Sequence, residues 1–179
     1  MATPNCGLGD RISWKQHIRR RWRRLKCGKF NTSIMRLTMH TDYGLRFLIY
    51  AALQMPRAAS VKEIATAYGA SADHMMKVAR ALSKAGLIRS CRGRSGGFKL
   101  ADEPRNILVG DVVRRLESCQ MVECMRKGPS ACPISAHCQL PRLLETATKA
   151  YFSVLDSATL ADLIGQRKGL EIVLRVISA

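Results

Sequence analysis

The chain has 179 residues, 47% of them hydrophobic, enough for one domain with a sizeable core plus an appendage. Its net charge of +17 points to a polyanionic partner, nucleic acid or an anionic membrane surface. No apolar run approaches the roughly 18 residues of a transmembrane helix. Seven cysteines are too few, too unevenly spread and odd in number for a secreted disulfide scaffold. With no secretory signal visible, a cytoplasmic protein in a reducing compartment is expected, with no membrane partner.

The charge is uneven. Residues 1–34 hold nine Lys/Arg against one Asp, nearly half of the excess. That stretch carries Pro4, Gly7, Gly9, Gly28 and the run Arg19-Arg-Arg-Trp-Arg-Arg24, and shows no apolar face that could dock on a core. It is expected to be a disordered basic extension. A functional basic arm with an aromatic wedge is the alternative. An ordered pattern begins abruptly at Met35, the expected native start.

From Met35 to Met55 the residues Leu37, Tyr43, Leu45, Phe47, Leu48, Tyr50, Ala51 and Leu53 recur near helical spacing. Thr41 or Asp42 reads as the N-cap, and Pro56 stops the helix. Ser60-Val-Lys-Glu63 is a capping-box signature opening a short helix with Val61, Ile64 and Ala65 inward, ended by Gly69. Ser71 caps the next helix, with Met75, Val78, Ala79 and Leu82 on one face, and Gly86 ends it. Two short helices across a glycine turn make a helix-turn-helix. Strands expected at 87–91 and 98–101, around Arg92-Gly-Arg-Ser-Gly-Gly97, add a wing.

With its apolar face inward, the second of these helices turns Asp73, His74, Met76, Lys77 and Arg80 outward. Lys77 and Arg80 suit phosphates or guanines, His74 can donate or accept, and Ser71 at the helix start suits a phosphate. Arg92 and Arg94 at the wing tip suit phosphates or a minor groove. A solvated helix face and a plain solvated hairpin are the bland alternatives.

Ile107-Leu-Val109 reads as extended, and Gly110-Asp111 starts a helix through Val112, Val113 and Leu116. Then Cys124, Cys132 and Cys138 follow in one polar stretch, with seven and then five residues between them. Thiolates are soft ligands for zinc, copper(I) or iron–sulfur clusters. Structural zinc sites favour close Cys-x-x-Cys knuckles, and none occurs here. The wide spacing fits a larger object such as a cluster. His137 keeps zinc open, three unliganded thiols or a disulfide switch stay open too, and Cys119 is a possible fourth ligand. Cys6, Cys27 and Cys91 have no partners at ligand spacing.

Leu140 to Leu155 resumes helical spacing, with Leu143, Leu144, Ala147, Tyr151, Val154 and Leu155 apolar. That broad face suits a dimer interface or packing on its own domain. Thr159 caps a last short helix, Leu160 to Ile164. The expected fold is mainly α with a small β-wing: a winged helix-turn-helix domain plus a long dimerisation helix. Its expected parts are the extension 1–34, the DNA-binding domain 35–103, a linking helix and cluster-binding loop 104–138, and a dimerisation helix and tail 139–179. No catalytic motif is present, and an enzyme is not expected.

Met35-Arg-Leu-Thr-Met-His-Thr-Asp-Tyr-Gly-Leu-Arg46, Lys84-Ala-Gly-Leu-Ile88, Arg92-Gly-Arg-Ser-Gly-Gly97, Gly110-Asp-Val-Val113 and Thr159-Leu-Ala-Asp-Leu163 resemble blocks of the bacterial iron–sulfur winged-helix repressors. The resemblance spans roughly 35–165 and is greatest to the nitric-oxide-sensitive branch. It implies a homodimer on double-stranded operator DNA, with nitric oxide as the signal. It further implies an iron–sulfur cluster, 4Fe–4S with 2Fe–2S as the alternative, held by Cys124, Cys132, Cys138 and Asp42 of the partner subunit. The first cysteine gap resembles the iron-responsive branch, which makes iron supply the alternative signal. A cluster carrier or redox protein is the alternative of another class.

Overall fold

Thr38, rather than Thr41 or Asp42, starts the first helix of the computed structural model, which describes residues 37–93, 96–118, 132–134 and 137–178. The Thr38 hydroxyl accepts the Thr41 N–H at 3.2 Å, and Thr41 itself is fully buried. The helix, α1, runs Met39–Leu53, and α2 (Val61–Ala67) and α3 (Ala72–Lys84) follow. Strands β1 (Ile88–Cys91) and β2 (Gly97–Leu100) precede a 3-10 turn, Pro104–Asn106. Next come α4 (Val109–Leu116), α5 (Leu140–Leu155), α6 (Leu160–Leu163) and α7 (Arg167–Ser178). The extension 1–34, the start at Met35, Arg94, Cys119 and Cys124 lie outside the described residues. Among those described, no helix is long and apolar enough to cross a membrane.

Local signals set the helix-turn-helix. Ser60 and Glu63 close a reciprocal capping box on α2, and Ser71 caps α3 by accepting the His74 N–H. Gly69 and Gly86 end α2 and α3 with φ of 60° and 71°, a region that costs a side-chain-bearing residue about 1–2 kcal/mol. Phe47 and Leu48 from α1, Ile64 from α2, and Met75, Val78 and Leu82 from α3 are fully buried together. Each such side chain contributes about 1.5–3 kcal/mol on leaving water. Val112 of α4 and Leu160 of α6 enter the same core. The helix-turn-helix therefore does not close its core without the later helices.

The wing is antiparallel, with Ile88 opposite Leu100 and Cys91 opposite Gly97. Ala59, on the α1–α2 connection, adds a bridge to Phe98 through hydrogen bonds of 2.9 and 2.8 Å. That bridge ties the wing to the helices.

A second junction joins α4 to the end of α5. Arg114 donates to Asp156 at 2.8 Å and lies over the Phe152 ring at 4.3 Å. Leu108 bridges Thr159, and Thr159 and Asp162 form the capping box of α6. On the face opposite Phe152, α5 is open to solvent, with Leu143 66% and Val154 68% exposed.

The tail after Ile164 is a helix where the sequence reading has none. Gly165 lies before it and Gly169 inside it, yet Leu170, Val173, Leu174 and Ile177 recur at helical spacing, so the pattern is present in the sequence. In α7, Leu174 packs on the core, and Arg167 donates to the Leu53 carbonyl at 2.8 Å.

Gly97 sits where a Cβ would lie 2.5 Å from the Ala59 carbonyl oxygen, a backbone atom that cannot swing away. Gly97→Ala is expected to cost about 2–3 kcal/mol by loosening the wing, and Gly69→Ala about 1 kcal/mol. Urea denaturation of the two variants checks the order. Equal, small losses would contradict the Ala59 bridge.

Candidate nucleic-acid interface and cysteine segment

Helix α3 buries Met75, Val78, Ala79 and Leu82 and leaves Asp73, Met76, Lys77 and Arg80 exposed. Four residues at helical spacing thus form one outer stripe. Ser71 is exposed at the start of that helix, its oxygen accepting the His74 N–H and its hydroxyl hydrogen left to donate outward.

His74 departs from the sequence reading, which turned it outward. It is half-buried, its ring edge-on to Tyr43 of α1 with centroids 5.1 Å apart. Its Nε2 is buried with no hydrogen-bond partner among the described residues. Position 74 lies one turn before Val78, at the margin of the buried stripe, and Tyr43 widens that stripe to cover it. Its side chain is a packing contact between α1 and α3 here.

In the wing, Arg92 is exposed directly after β1. Arg89 on β1 donates back to the Ala101 carbonyl at 2.9 Å. Arg92, Lys77 and Arg80 are thus accessible cations on the winged helix, the type of group that neutralises phosphates.

The residues that sequence reasoning missed lie at the end of α4, just before the cysteine segment. Arg115 donates to the Ala85 carbonyl at 2.7 Å, and Ala85 is the C-cap of α3. A cation there also meets the negative end of the helix dipole. Two residues later, Glu117 Oε2 accepts the Thr38 N–H at 3.0 Å, the Thr38 hydroxyl at 3.0 Å and the Thr41 hydroxyl at 2.6 Å. These contacts span 30 to 79 residues of sequence, so no local pattern could signal them.

Burial pushes the Glu117 carboxyl upward. The hydrogen bonds from Thr41 and Thr38, and the nearby His40, outweigh that and hold it below its ordinary value of 4.5. The chain into the cysteines is thereby fastened to the first turn of α1 and to the last turn of α3.

Asp42 follows Thr41 in that first turn. Its carboxylate engages Arg46 through bonds of 2.9 and 3.1 Å. Cys132 and Cys138 are half-buried, and neither is in a disulfide. His137 is exposed, and the His137 and Cys138 N–H groups both donate to the Ile134 carbonyl. Cys138 ends that turn two residues before α5, whose N-cap Gln139 makes no side-chain cap bond.

Soft sulfur donors beside a helix start fit an anionic thiolate-ligated cluster. Among the described residues, no three Cys, His, Asp or Glu side chains converge on a metal position.

Glu117→Gln is expected to destabilise the fold by about 1 kcal/mol at neutral pH, allowing for solvent screening. Because the folded carboxyl titrates below its unfolded value, this stability is fully present above 4.5 and is lost as pH falls through the folded value. Denaturant midpoints at pH 7 and in acid test it. A gap between wild type and variant that stays constant into acid would contradict the assignment.

Residues 37–166 match the family model described as Rrf2, iron-dependent transcriptional regulator. The chain is 40% identical over 143 residues to the HTH-type transcriptional regulator NsrR of Shouchella clausii, covering 79% of this chain and 96% of that one. It is also 40% identical over 144 residues to the HTH-type transcriptional regulator NsrR of Halalkalibacterium halodurans, covering 79% and 99%. The solved structure of T. potens IscR aligns with a TM-score of 0.60 at 31% identity, over 74% of this chain and 88% of that one. With its winged helix-turn-helix and these relatives, the chain belongs to the Rrf2 family of transcriptional regulators.

Proposed function

We propose that this regulator is a homodimeric repressor that holds double-stranded operator DNA and releases it in response to nitric oxide. An iron–sulfur cluster, 4Fe–4S with 2Fe–2S as the alternative, is assigned to Cys124, Cys132, Cys138 and Asp42 of the partner subunit. Ser71, Lys77, Arg80, Arg92 and Arg94 are assigned to DNA, and His74 acts by placing α3 on α1. The open face of α5, with Leu143 and Val154 exposed, is the proposed dimer surface. The winged helix over 35–103 is the reader, 104–138 the linking and cluster-binding segment, and 139–179 the dimerising part. It works in the bacterial cytoplasm, on the nucleoid.

The observation that carries this reading is the double attachment at the end of α4. Glu117 grips the first turn of α1, and Arg115 grips the last turn of α3. When bound, the cluster supplies iron that reacts with nitric oxide. The three cysteines set the path of the segment that leaves Glu117. A change in that path pulls on Glu117 and Arg115, and through them on the start of α1 and the end of α3. Two recognition helices must lie about one turn of DNA apart to read a palindrome, so a small shift of each lowers affinity. Coupling of about 1–3 kcal/mol changes occupancy five- to roughly 150-fold.

A second reading keeps the same parts with iron supply as the signal. The seven-residue gap between Cys124 and Cys132 favours it. Anaerobic operator binding by cluster-loaded protein, before and after a stoichiometric nitric oxide donor and with an iron chelator in parallel, separates the two. Release by nitric oxide alone supports the proposal, and release by chelation alone supports the iron reading. A colourless, zinc-loaded protein with full operator binding would overturn both. Cluster transfer to an acceptor without sequence-specific binding would favour the carrier.

A further inference from the structure

The outer stripe of α3 is chemically mixed. Lys77 and Arg80 are exposed cations, Asp73 is an exposed anion, and Met76 is an apolar side chain 38% exposed. Its neighbour Met75 is fully buried, so the core already has its methionine and does not take the second. Met76 is the fifth residue of α3, in the N-terminal half that faces base edges when a recognition helix enters the major groove.

Phosphates attract Lys77 and Arg80 but gain nothing from a thioether. Asp73, one turn earlier on the same stripe, repels phosphates and keeps this part of the helix over the groove floor. There the four base pairs offer one apolar group, the C5-methyl of thymine. A flexible, unbranched methionine adapts well to such a methyl.

We infer that Met76 is a specificity-determining residue that contacts a thymine methyl in each operator half-site. Lys77 and Arg80 supply affinity, and Met76 supplies a preference for T at one position. This rests on the operator-binding reading above and adds a named contact to it.

The test uses the full chain and duplexes selected from a random DNA pool. Each thymine of the selected half-site is exchanged in turn for uracil, which differs only in lacking the methyl group. Wild type should lose about fourfold in affinity at one position, the equivalent of one lost methyl burial. Met76→Ala and Met76→Gln should lose nothing further at that position, while both still bind the selected duplex above random DNA.

A uracil penalty of the same size in wild type and both variants would overturn the inference. So would a half-site with no methyl-sensitive thymine. Selection that enriches no sequence would instead bring down the operator-binding reading, and this contact with it.

Discussion

The carboxylate of Glu117 is the point on which the architecture turns. One oxygen takes two hydroxyls and a backbone N–H from the first turn of α1. Three bonds to one anionic acceptor are stronger than neutral bonds, and they satisfy donors that a helix start leaves open. Thr38 both caps α1 and holds Glu117, and Thr41, buried beneath, fixes the distance. The end of α4 is therefore not a free linker. It is fastened where Asp42 begins, and Arg115, two residues earlier, is fastened to the far end of α3. A segment carrying metal-type ligands leaves directly from this fastening.

The remaining structure makes the fastening consequential. α1 and α3 are in contact through Tyr43 and His74 and share one buried core with Leu82. Close-packed interiors transmit displacement and do not absorb it. The wing follows, because Ala59 locks β2 to the connection between α1 and α2. At the other end, Arg114, Asp156 and Phe152 hold α5 to α4. Helix α4 thus touches the winged helix and the long helix at once.

Elements were legible in the sequence where local chemistry decides them. The Ser60–Glu63 box, the Ser71 cap, the turns at Gly69 and Gly86 and the apolar stripe of α3 all follow from spacing and appear as expected. The N-cap of α1 was displaced to Thr38 because Thr41 is drawn into the core beside Glu117, a partner 76 residues away. His74 was read as outward because a helical wheel cannot show Tyr43 arriving from another helix. α7 is absent from the sequence reading although Leu170, Val173, Leu174 and Ile177 carry a helical pattern, and Leu174 seats it on the core. Of the site, the outer stripe of α3 was legible. The Arg115 and Glu117 contacts were not, since they are long-range pairings between ordinary polar residues.

On the proposed function, Glu117 connects the cysteine segment to the winged helix through Thr38 and Thr41. The direct measurement is the ratio of operator affinities between cluster-loaded and cluster-free protein, taken anaerobically for wild type and Glu117→Gln at matched salt. A large ratio is expected in wild type and a ratio near one in the variant, with cluster content unchanged. An undiminished ratio in the variant would contradict it.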